Sequence, residues 1–276
     1  MRGVLGGVVR GAVIISMITA FFAATPPQPA AATTLGSKTV VYNTDYASFG
    51  VGGMRGNGAG TITVSGISGK VTKALLYWAG PTNSTDPTVN AAVTFAGSSI
   101  TGTNIGTAYD NNWNFTNSQA YRADVTALVS AGTTSYALSN FRKTDAEING
   151  ASLLVFFDDG NPSNNRDIVV VDGNDSNGSS SFDPAGWSAS VPGVKYSAGA
   201  AKLELHVSDG QAGSTIFNDA PVIYNGNTAN PLASPDVNGE IFRGDSVPNG
   251  VGTCTPFACN GGLWDIKSFD ISSRLV

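Results

Sequence analysis

The chain has 276 residues, a formal net charge of −5 and only 13% charged residues, and it contains 34 glycines and 13 prolines. This composition argues against a coiled coil, a helical bundle and a nucleic-acid-binding protein, which need long glycine-poor stretches or many basic residues. Hydrophobic residues still make up 41% of the chain, so it can bury a core and is not expected to be disordered.

The acidic residues are mostly aspartates. Among 20 acidic residues only Glu147, Glu204 and Glu240 are glutamates. Glutamate favours helix interiors, whereas aspartate bonds to nearby backbone in turns and caps. The bias therefore predicts many loops and few helices.

Residues 1–32 have the pattern of a signal peptide. Arg2 and Arg10 precede an apolar run over 12–24, and the small residues at 30–32 suit a signal peptidase. The run is short for a membrane span, and an uncleaved N-terminal anchor is the alternative. We predict an exported protein, secreted or held at the cell surface, without a membrane span after signal removal. Removing two of the 15 basic residues and none of the acids lowers the net charge from −5 to −7, which disfavours nucleic acid as a partner.

From Lys38 onward, short apolar or alternating runs are separated by Gly, Asn, Asp, Ser and Pro, which predicts an all-β protein. The number and length of these runs favour an antiparallel β-sandwich or jelly-roll-like fold. One helix-like turn is predicted over 124–129, with Asp124 as its cap. The predicted strands are 39–46, 61–65, 73–79, 91–96, 135–141, 151–157, 167–171, 187–196, 202–208, 221–224 and 264–271.

A weak repeat divides the chain into two related halves, an N-terminal half at 33–198 and a C-terminal half at 199–276, which could pack as one domain. In both halves a strand, a strand ending in glycine and an Asp-apolar-hydroxyl corner follow in the same order, and the corners begin at Asp124 and Asp270. Chance similarity in a glycine-rich β protein is the alternative. A strand follows the first corner, but the sequence stops after the second, so we expect the C-terminal closing strand to be missing and an edge to be open.

Four segments carry a resemblance to known proteins. They lie at 74–80, 121–129, 150–159 and 166–173 and read ALLYWAG, YRADVTALV, GASLLVFFDD and RDIVVVDG. In this order they resemble a poorly characterised group of bacterial secreted and cell-surface β-sandwich domains, which often precede repeat arrays or C-terminal surface-sorting signals. The resemblance implies a β-sandwich that works outside the cell, and it transfers no catalytic residues.

The sequence offers little for nucleophilic catalysis, and we predict that the protein is not an enzyme. His206 is the only histidine, and alternation within 203–208 places it on the polar face with Glu204 and Ser208. There it is predicted to be solvated or paired across strands rather than to act as a catalytic base.

Paired aspartates could instead serve a hydrolase. If strands 151–157 and 167–171 form an antiparallel hairpin, Asp158 and Asp159 lie at its loop end and Asp172 lies at the other end. Aspartates at strand ends are ordinarily turn formers. The candidate pairs are Asp158 with Asp159, Asp172 with Asp175, and Asp209 with Asp219.

Calcium is the better functional interpretation of the acidic residues that follow the strand at 167–171. Asp172, Asn174, Asp175 and Ser176, with Asp183 further along, offer oxygen ligands on one loop. The spacing is not that of an EF-hand, and a plain turn is the alternative. Calcium is the one cofactor that the sequence suggests.

Carbohydrate binding needs a solvent-facing aromatic ring beside amide or carboxylate groups. Trp113, with Asn111 and Asn114, is the best such group, because Trp78 and Trp187 fall within apolar strands and are predicted to be core. Burial of Trp113 beneath its own loop is the alternative.

Cys254 and Cys259 are the two cysteines of the chain, and four residues separate them. In an exported protein this spacing predicts a disulfide that closes a small loop. Two thiols without histidine neighbours make a poor zinc site.

Taken together, these features favour a non-catalytic exported β-sandwich module for cell-surface adhesion, extracellular matrix assembly or glycan contact. Its partners would be glycans or other surface proteins. One alternative is a secreted polysaccharide-acting hydrolase that uses paired aspartates, and another is a structural surface-layer or fibre component that assembles through an open edge.

Overall fold

The computed structural model describes residues 33–108, 115–175, 188–210, 219–226, 228–232, 241–248 and 262–275. This part of the chain is nearly all β, with antiparallel sheets, which confirms the predicted all-β, sandwich-like fold. Two short 3₁₀ turns, η1 (Thr126–Leu128) and η2 (Ser272–Arg274), accompany the strands. The strands are β1 (Thr33–Val51), β2 (Gly60–Ile67), β3 (Lys70–Thr82), β4 (Ala92–Phe95), β5 (Ser98–Thr101), β6 (Thr103–Ala108), β7 (Asn117–Asp124), β8 (Gly132–Ser139), β9 (Gly150–Asp158), β10 (Arg166–Asn174), β11 (Lys202–Ser208), β12 (Val222–Asn225), β13 (Thr228–Pro231) and β14 (Trp264–Asp270).

The largest sheet has six strands in the order β10-β1-β9-β3-β7-β6. The long strand β1 serves two partners, because its first part pairs with β10 and its second part pairs with β9. The sheet curls strongly, so that Asn174 Nδ2 in β10 donates to Ser118 O in β7, 3.0 Å away, across the curled face. The curl makes this sheet nearly a closed barrel.

A four-stranded sheet, in the order β2-β8-β4-β5, packs on one face of the six-stranded sheet. The main core lies between them, and the aromatic rings at its centre pack in pairs. Trp78 stacks on Tyr121 with ring centroids 5.7 Å apart, and Phe95 stacks on Tyr136 at 5.3 Å. Trp78 is fully buried, as its place in an apolar strand predicts.

The pair β11–β14 forms a third layer on the opposite face of the six-stranded sheet. Trp264 and Ile266 of β14 pack with Ala79 and Ala120 of that sheet. The approach is close because the sheet carries glycine there: a Cβ on Gly150 would lie 2.8 Å from Trp264 Cβ. The two predicted halves therefore share a buried contact.

Four strands were not predicted, namely β5, β6, β7 and β13. They are rich in Ser, Thr, Asn and Gly, so they lack the apolar alternation that marks a strand in the sequence. Tertiary pairing makes them strands, since β7 lies between β3 and β6.

Two further expectations are wrong. Residues 188–196 form no strand, although a strand was expected over 187–196. The strands β9 and β10 are not a hydrogen-bonded hairpin, because β1 lies between them in the sheet.

Within the described ranges, no helix has the length and apolar character that crossing a membrane requires.

Candidate functional site

The single histidine belongs to a buried polar network between the third layer and the six-stranded sheet. His206 Nδ1 lies 2.8 Å from Ser152 Oγ, and His206 Nε2 lies 3.0 Å from Glu204 Oε1. Trp264 Nε1 donates to Ser152 Oγ at 2.8 Å, and Tyr46 OH donates to Glu204 Oε1 at 2.5 Å. The polar face of β11 is thus covered by another sheet rather than by solvent.

The hydrogen bonds of this network follow one direction. Because Trp264 has only a donor, Ser152 Oγ accepts from it and can direct its own hydrogen to His206 Nδ1. His206 then carries its proton on Nε2 and donates to Glu204. In this arrangement Trp264, Ser152, His206 and Glu204 each have a hydrogen-bond partner.

Ser, His and a carboxylate in contact resemble a hydrolase triad, but the burial of Ser152 argues against that role. Its exposed fraction is 0%, while the His206 side chain is 19% exposed. A nucleophile needs contact with a substrate carbonyl, and this hydroxyl is enclosed by the indole of Trp264 and the imidazole. The network holds two layers together.

Glu204 is the anionic end of the network. Burial opposes its charge, but hydrogen bonds from His206, Tyr46 and Lys202 outweigh the burial and hold the pKa of Glu204 well below its usual range. Burial, and then the neighbouring Glu204, raise the pKa of the Tyr46 hydroxyl well above its ordinary value. Glu204 is therefore a fixed carboxylate and a poor proton donor near neutral pH.

A second buried charge cluster surrounds Arg55, which follows β1. Arg55 Nη2 donates to Asn149 Oδ1 at 2.6 Å and lies 3.4 Å from Asp209 Oδ1, and Arg55 Nε lies 3.6 Å from Glu147 Oε2. Burial raises the pKa of Glu147, and Arg55 opposes that rise. Asp209 therefore makes a structural contact with Arg55.

Asp219, the other member of that predicted pair, caps a backbone segment. Its two carboxylate oxygens accept hydrogen bonds from Ile241 N at 2.6 Å and Phe242 N at 3.0 Å. Asp209 and Asp219 therefore both make contacts that stabilise the folded chain.

The carboxylates near β9 and β10 also lie in separate places. Asp158 and Asp159 accept turn hydrogen bonds from Gly160 N at 2.9 Å and Asn161 N at 2.7 Å. Asp172 contacts β7 and β3 instead, so it does not join them.

Asp172, the first of the predicted calcium ligands, has protein partners. Its Oδ2 accepts from Arg122 Nη1 at 2.7 Å and from Tyr77 OH at 2.8 Å, while its Oδ1 is buried without a hydrogen-bond partner. Asn174 Nδ2 donates to Ser118, and Ser176 and Asp183 lie outside the described residues. Burial and Asp172 together raise the pKa of Tyr77.

An open groove of about 250 Å³ lies beside this cluster, where β3 and β7 meet β1, β5 and β6. Sequence reasoning did not find it, because its residues come from five strands, of which β5, β6 and β7 were not predicted. Thr101, Thr103 and Asp124 are exposed there, and Lys73 Nζ lies 3.6 Å from Asp124 Oδ2. We call it the threonine groove; its main lining residues are Thr39, Lys73, Thr101, Thr103, Arg122 and Asp124.

Asp175 follows β10 and is partly buried. The other remaining predicted site residues lie outside the described ranges. These are the carbohydrate candidates Asn111, Trp113 and Asn114, and the disulfide candidates Cys254 and Cys259.

Comparison with protein-family models, with curated proteins and with solved structures found no match. The resemblance to secreted bacterial surface domains therefore stays an expectation from the sequence.

Proposed function

We propose that this chain is a non-catalytic exported β-sandwich module that contacts glycans at the cell surface or outside the cell, through the threonine groove. The observation that carries the proposal is the groove itself, an open concavity whose two basic side chains, Lys73 and Arg122, are paired with Asp124 and Asp172. Polar groups that are already held in place lose little freedom when a ligand binds.

The charges of the groove balance locally. Lys73 is paired with Asp124 at 3.6 Å, and Arg122 is paired with Asp172 at 2.7 Å. The two cations therefore attract a charged ligand weakly. An uncharged, polyhydroxylated ligand suits such a surface.

The threonines supply the other half of the recognition. Thr101 and Thr103 are exposed on neighbouring strands and present hydroxyl groups that can both donate and accept, beside Thr39 of β1. Sugar hydroxyls have the same dual character. The groove thus supports a neutral glycan as the ligand class.

The burial of Ser152 favours binding over hydrolysis. The histidine network and the Arg55 cluster are both used to hold layers and loops, so these acidic groups are unavailable to a substrate. The hydrolase alternative would need two carboxylates converging in one cleft, about 5 to 10 Å apart.

A glycan array tests the proposal. We expect the wild type to bind a set of neutral glycans, and the double variant Thr101→Val, Thr103→Val to lose at least about tenfold in affinity, because two hydroxyls become methyl groups of similar size. Thr61→Val is the matched control, since Thr61 is an exposed threonine of β2 away from the groove. An empty wild-type array, or equal binding by both variants, would contradict the proposal.

Calcium at Asp172 is a separate prediction. The buried Oδ1 of Asp172 leaves one oxygen for a cation, while Arg122 already neutralises the carboxylate. Isothermal titration of chelator-treated protein with calcium chloride checks it. Absence of heat at about millimolar calcium would exclude the site.

A further inference from the structure

The corner at the end of β7 is built from one aspartate and one threonine. Asp124 Oδ1 accepts from Thr126 N at 3.0 Å and from Thr126 Oγ1 at 2.6 Å. Thr126 Oγ1 in turn accepts from Ala74 N at 2.9 Å, and Val125 N donates to Ala74 O at 2.9 Å. The turn η1 follows directly.

The corner at the end of β14 repeats these contacts. Asp270 Oδ1 accepts from Ser272 N at 2.8 Å and from Ser272 Oγ at 2.6 Å. Ser272 Oγ accepts from Ala201 N at 2.8 Å, and Ile271 N donates to Ala201 O at 2.9 Å. The turn η2 follows. We call β3, β4, β5, β7 and η1 the first module, and β11, β12, β13, β14 and η2 the second module.

Strand register agrees between the modules. Leu75 pairs with Asp124 across β3 and β7, and Lys202 pairs with Asp270 across β11 and β14. A groove of about 240 Å³ lined by Lys202, Ser268, Phe269 and Asp270 occupies in the second module the place of the threonine groove in the first. The matching corners and registers favour two copies of one structural unit, as the weak sequence repeat predicts.

In the first module a further strand, β8, covers the core and pairs with the edge of β4. Phe95 pairs with Leu138 and Thr94 pairs with Ser139, and Tyr136 stacks on Phe95 at 5.3 Å. The apolar side chains of β8, at alternate positions, fill the space above β3 and β7. In the first module, β8 therefore both pairs with the edge of β4 and covers the core.

In the second module the hairpin β12–β13 corresponds to β4–β5. Asn225 pairs with Thr228 across its two-residue turn, as Phe95 pairs with Ser98, so Tyr224 corresponds to Thr94. In the described part of the chain β12 pairs with β13 alone, and Tyr224 is 67% exposed.

The core face of the second module is also less covered. Leu203 and Phe269 are only partly buried, whereas their counterparts Leu76 and Ala123 in the first module are buried. Apolar residues of β12 and of loops pack against this face, among them Ala220, Ile223, Leu232, Ile241 and Phe242. A partly exposed core face beside a strand edge is the arrangement that β-strand addition uses.

We propose that the second module binds an extended strand of a partner polypeptide, which pairs with β12 as β8 pairs with β4 and carries large apolar residues at alternate positions. The strand runs antiparallel to β12 and places these residues over Leu203 and Phe269. Main-chain hydrogen bonds to β12 provide affinity, and the alternate apolar side chains provide specificity.

A synthetic peptide with the sequence of residues 130–141 tests the proposal, because it contains β8 itself. We expect the fluorescently labelled peptide to bind the whole protein in a polarisation assay. A peptide with Tyr136→Ser and Leu138→Ser should bind at least about tenfold more weakly. Absence of binding up to about 1 mM wild-type peptide would overturn the proposal.

Edge variants give the matched control. Beside a two-residue turn the flanking pair exchanges hydrogen bonds, so the N–H of Tyr224 points to the edge of β12 away from β13, and that of Ala229 points to the edge of β13 away from β12. Tyr224→Pro should abolish peptide binding and Ala229→Pro should preserve it. Equal binding by both would contradict the proposed edge. If the protein dimerises with increasing concentration and Tyr224→Pro abolishes the dimer, a second copy of this chain occupies the edge. That result would refute the proposal that a strand of a different polypeptide binds there.

Discussion

Replacing Glu204 by glutamine tests the role of the buried network most sharply. The carboxylate accepts four hydrogen bonds: Tyr46 and His206 donate to Oε1 at 2.5 and 3.0 Å, and Lys202 and Ser268 donate to Oε2 at 2.9 and 3.0 Å. Glutamine offers one acceptor oxygen and an NH₂ group that faces two donors. With the amide oxygen in the place of Oε1, the Lys202 bond is lost and Ser268 can turn its hydroxyl to accept, while Tyr46 and His206 donate to a neutral oxygen instead of a charged one.

The expected cost follows from which bonds remain. The Lys202 side chain is 54% exposed, so its ion pair is screened and contributes little. Tyr46 and His206 are more buried, and their two bonds weaken, because a hydrogen bond to a charged acceptor contributes about 1.5 to 3 kcal/mol and one to a neutral acceptor about 0.5 to 1.5 kcal/mol. We expect Glu204→Gln to lower the free energy of unfolding by about 2 to 4 kcal/mol at pH 7.

The destabilisation caused by Glu204→Gln becomes smaller as the pH falls. The pKa of Glu204 is depressed in the folded protein, so its stabilisation is complete above the unfolded pKa of about 4.3 and declines as the pH falls below that value. The difference between wild type and Glu204→Gln should shrink by about 1.5 kcal/mol between pH 7 and pH 3.

Urea denaturation followed by tryptophan fluorescence measures both quantities, because Trp264 lies in the network. Asp158→Asn is the control: Asp158 is exposed, and its one hydrogen bond, from Gly160 N at 2.9 Å, can still be accepted by an amide oxygen. We expect that variant to stay within about 0.5 kcal/mol of wild type. A Glu204→Gln variant as stable as the control, or a difference that does not change with pH, would refute the reasoning.

Three further predictions concern the layers. Ser152→Ala leaves the indole N–H of Trp264 without an acceptor and should cost about 1 to 3 kcal/mol in urea denaturation; an unchanged midpoint would count against the network. Gly150→Ala places a methyl group against Trp264 and should cost about 1 to 3 kcal/mol and alter near-ultraviolet circular dichroism; a wild-type spectrum would show that the layers are not in close contact. Leu76→Ala should cost about 2 to 5 kcal/mol and Leu203→Ala clearly less, because only Leu76 is fully enclosed; equal costs would argue against a less covered second module.

The sequence alone predicts the elements whose apolar residues are buried. The apolar run Ala151–Phe157 predicts the buried strand β9. Asp124 bonds to Thr126 at the predicted turn, but it is not the cap, because the turn η1 begins at Thr126 with Val125 as its N-cap. In both cases local residues decide the local structure.

Long-range pairing decides the elements that the sequence did not reveal. The residues of β7 include Asn117, Ser118 and Gln119, which read as loop, yet β7 pairs with β3 and β6 and buries Gln119. Likewise, the place of β1 between β9 and β10 depends on tertiary packing, and no local signal indicates it.

The candidate site was harder to predict for the same reason. The polar face of β11 was predicted from alternation, but its cover, Ser152 and Trp264, is 54 or more residues distant in the chain. The threonine groove joins Thr39 to Arg122 and Thr101 only when five strands meet. Such sites emerge from topology rather than from a motif.

The central claim is that the groove binds a glycan without transforming it. Isothermal titration with a glycan identified on the array, followed by mass spectrometry of the recovered sugar, tests this directly. The account predicts saturable binding that Thr101→Val, Thr103→Val weakens, and a recovered glycan of unchanged mass. A cleaved glycan, or binding that the double variant leaves unchanged, would contradict it.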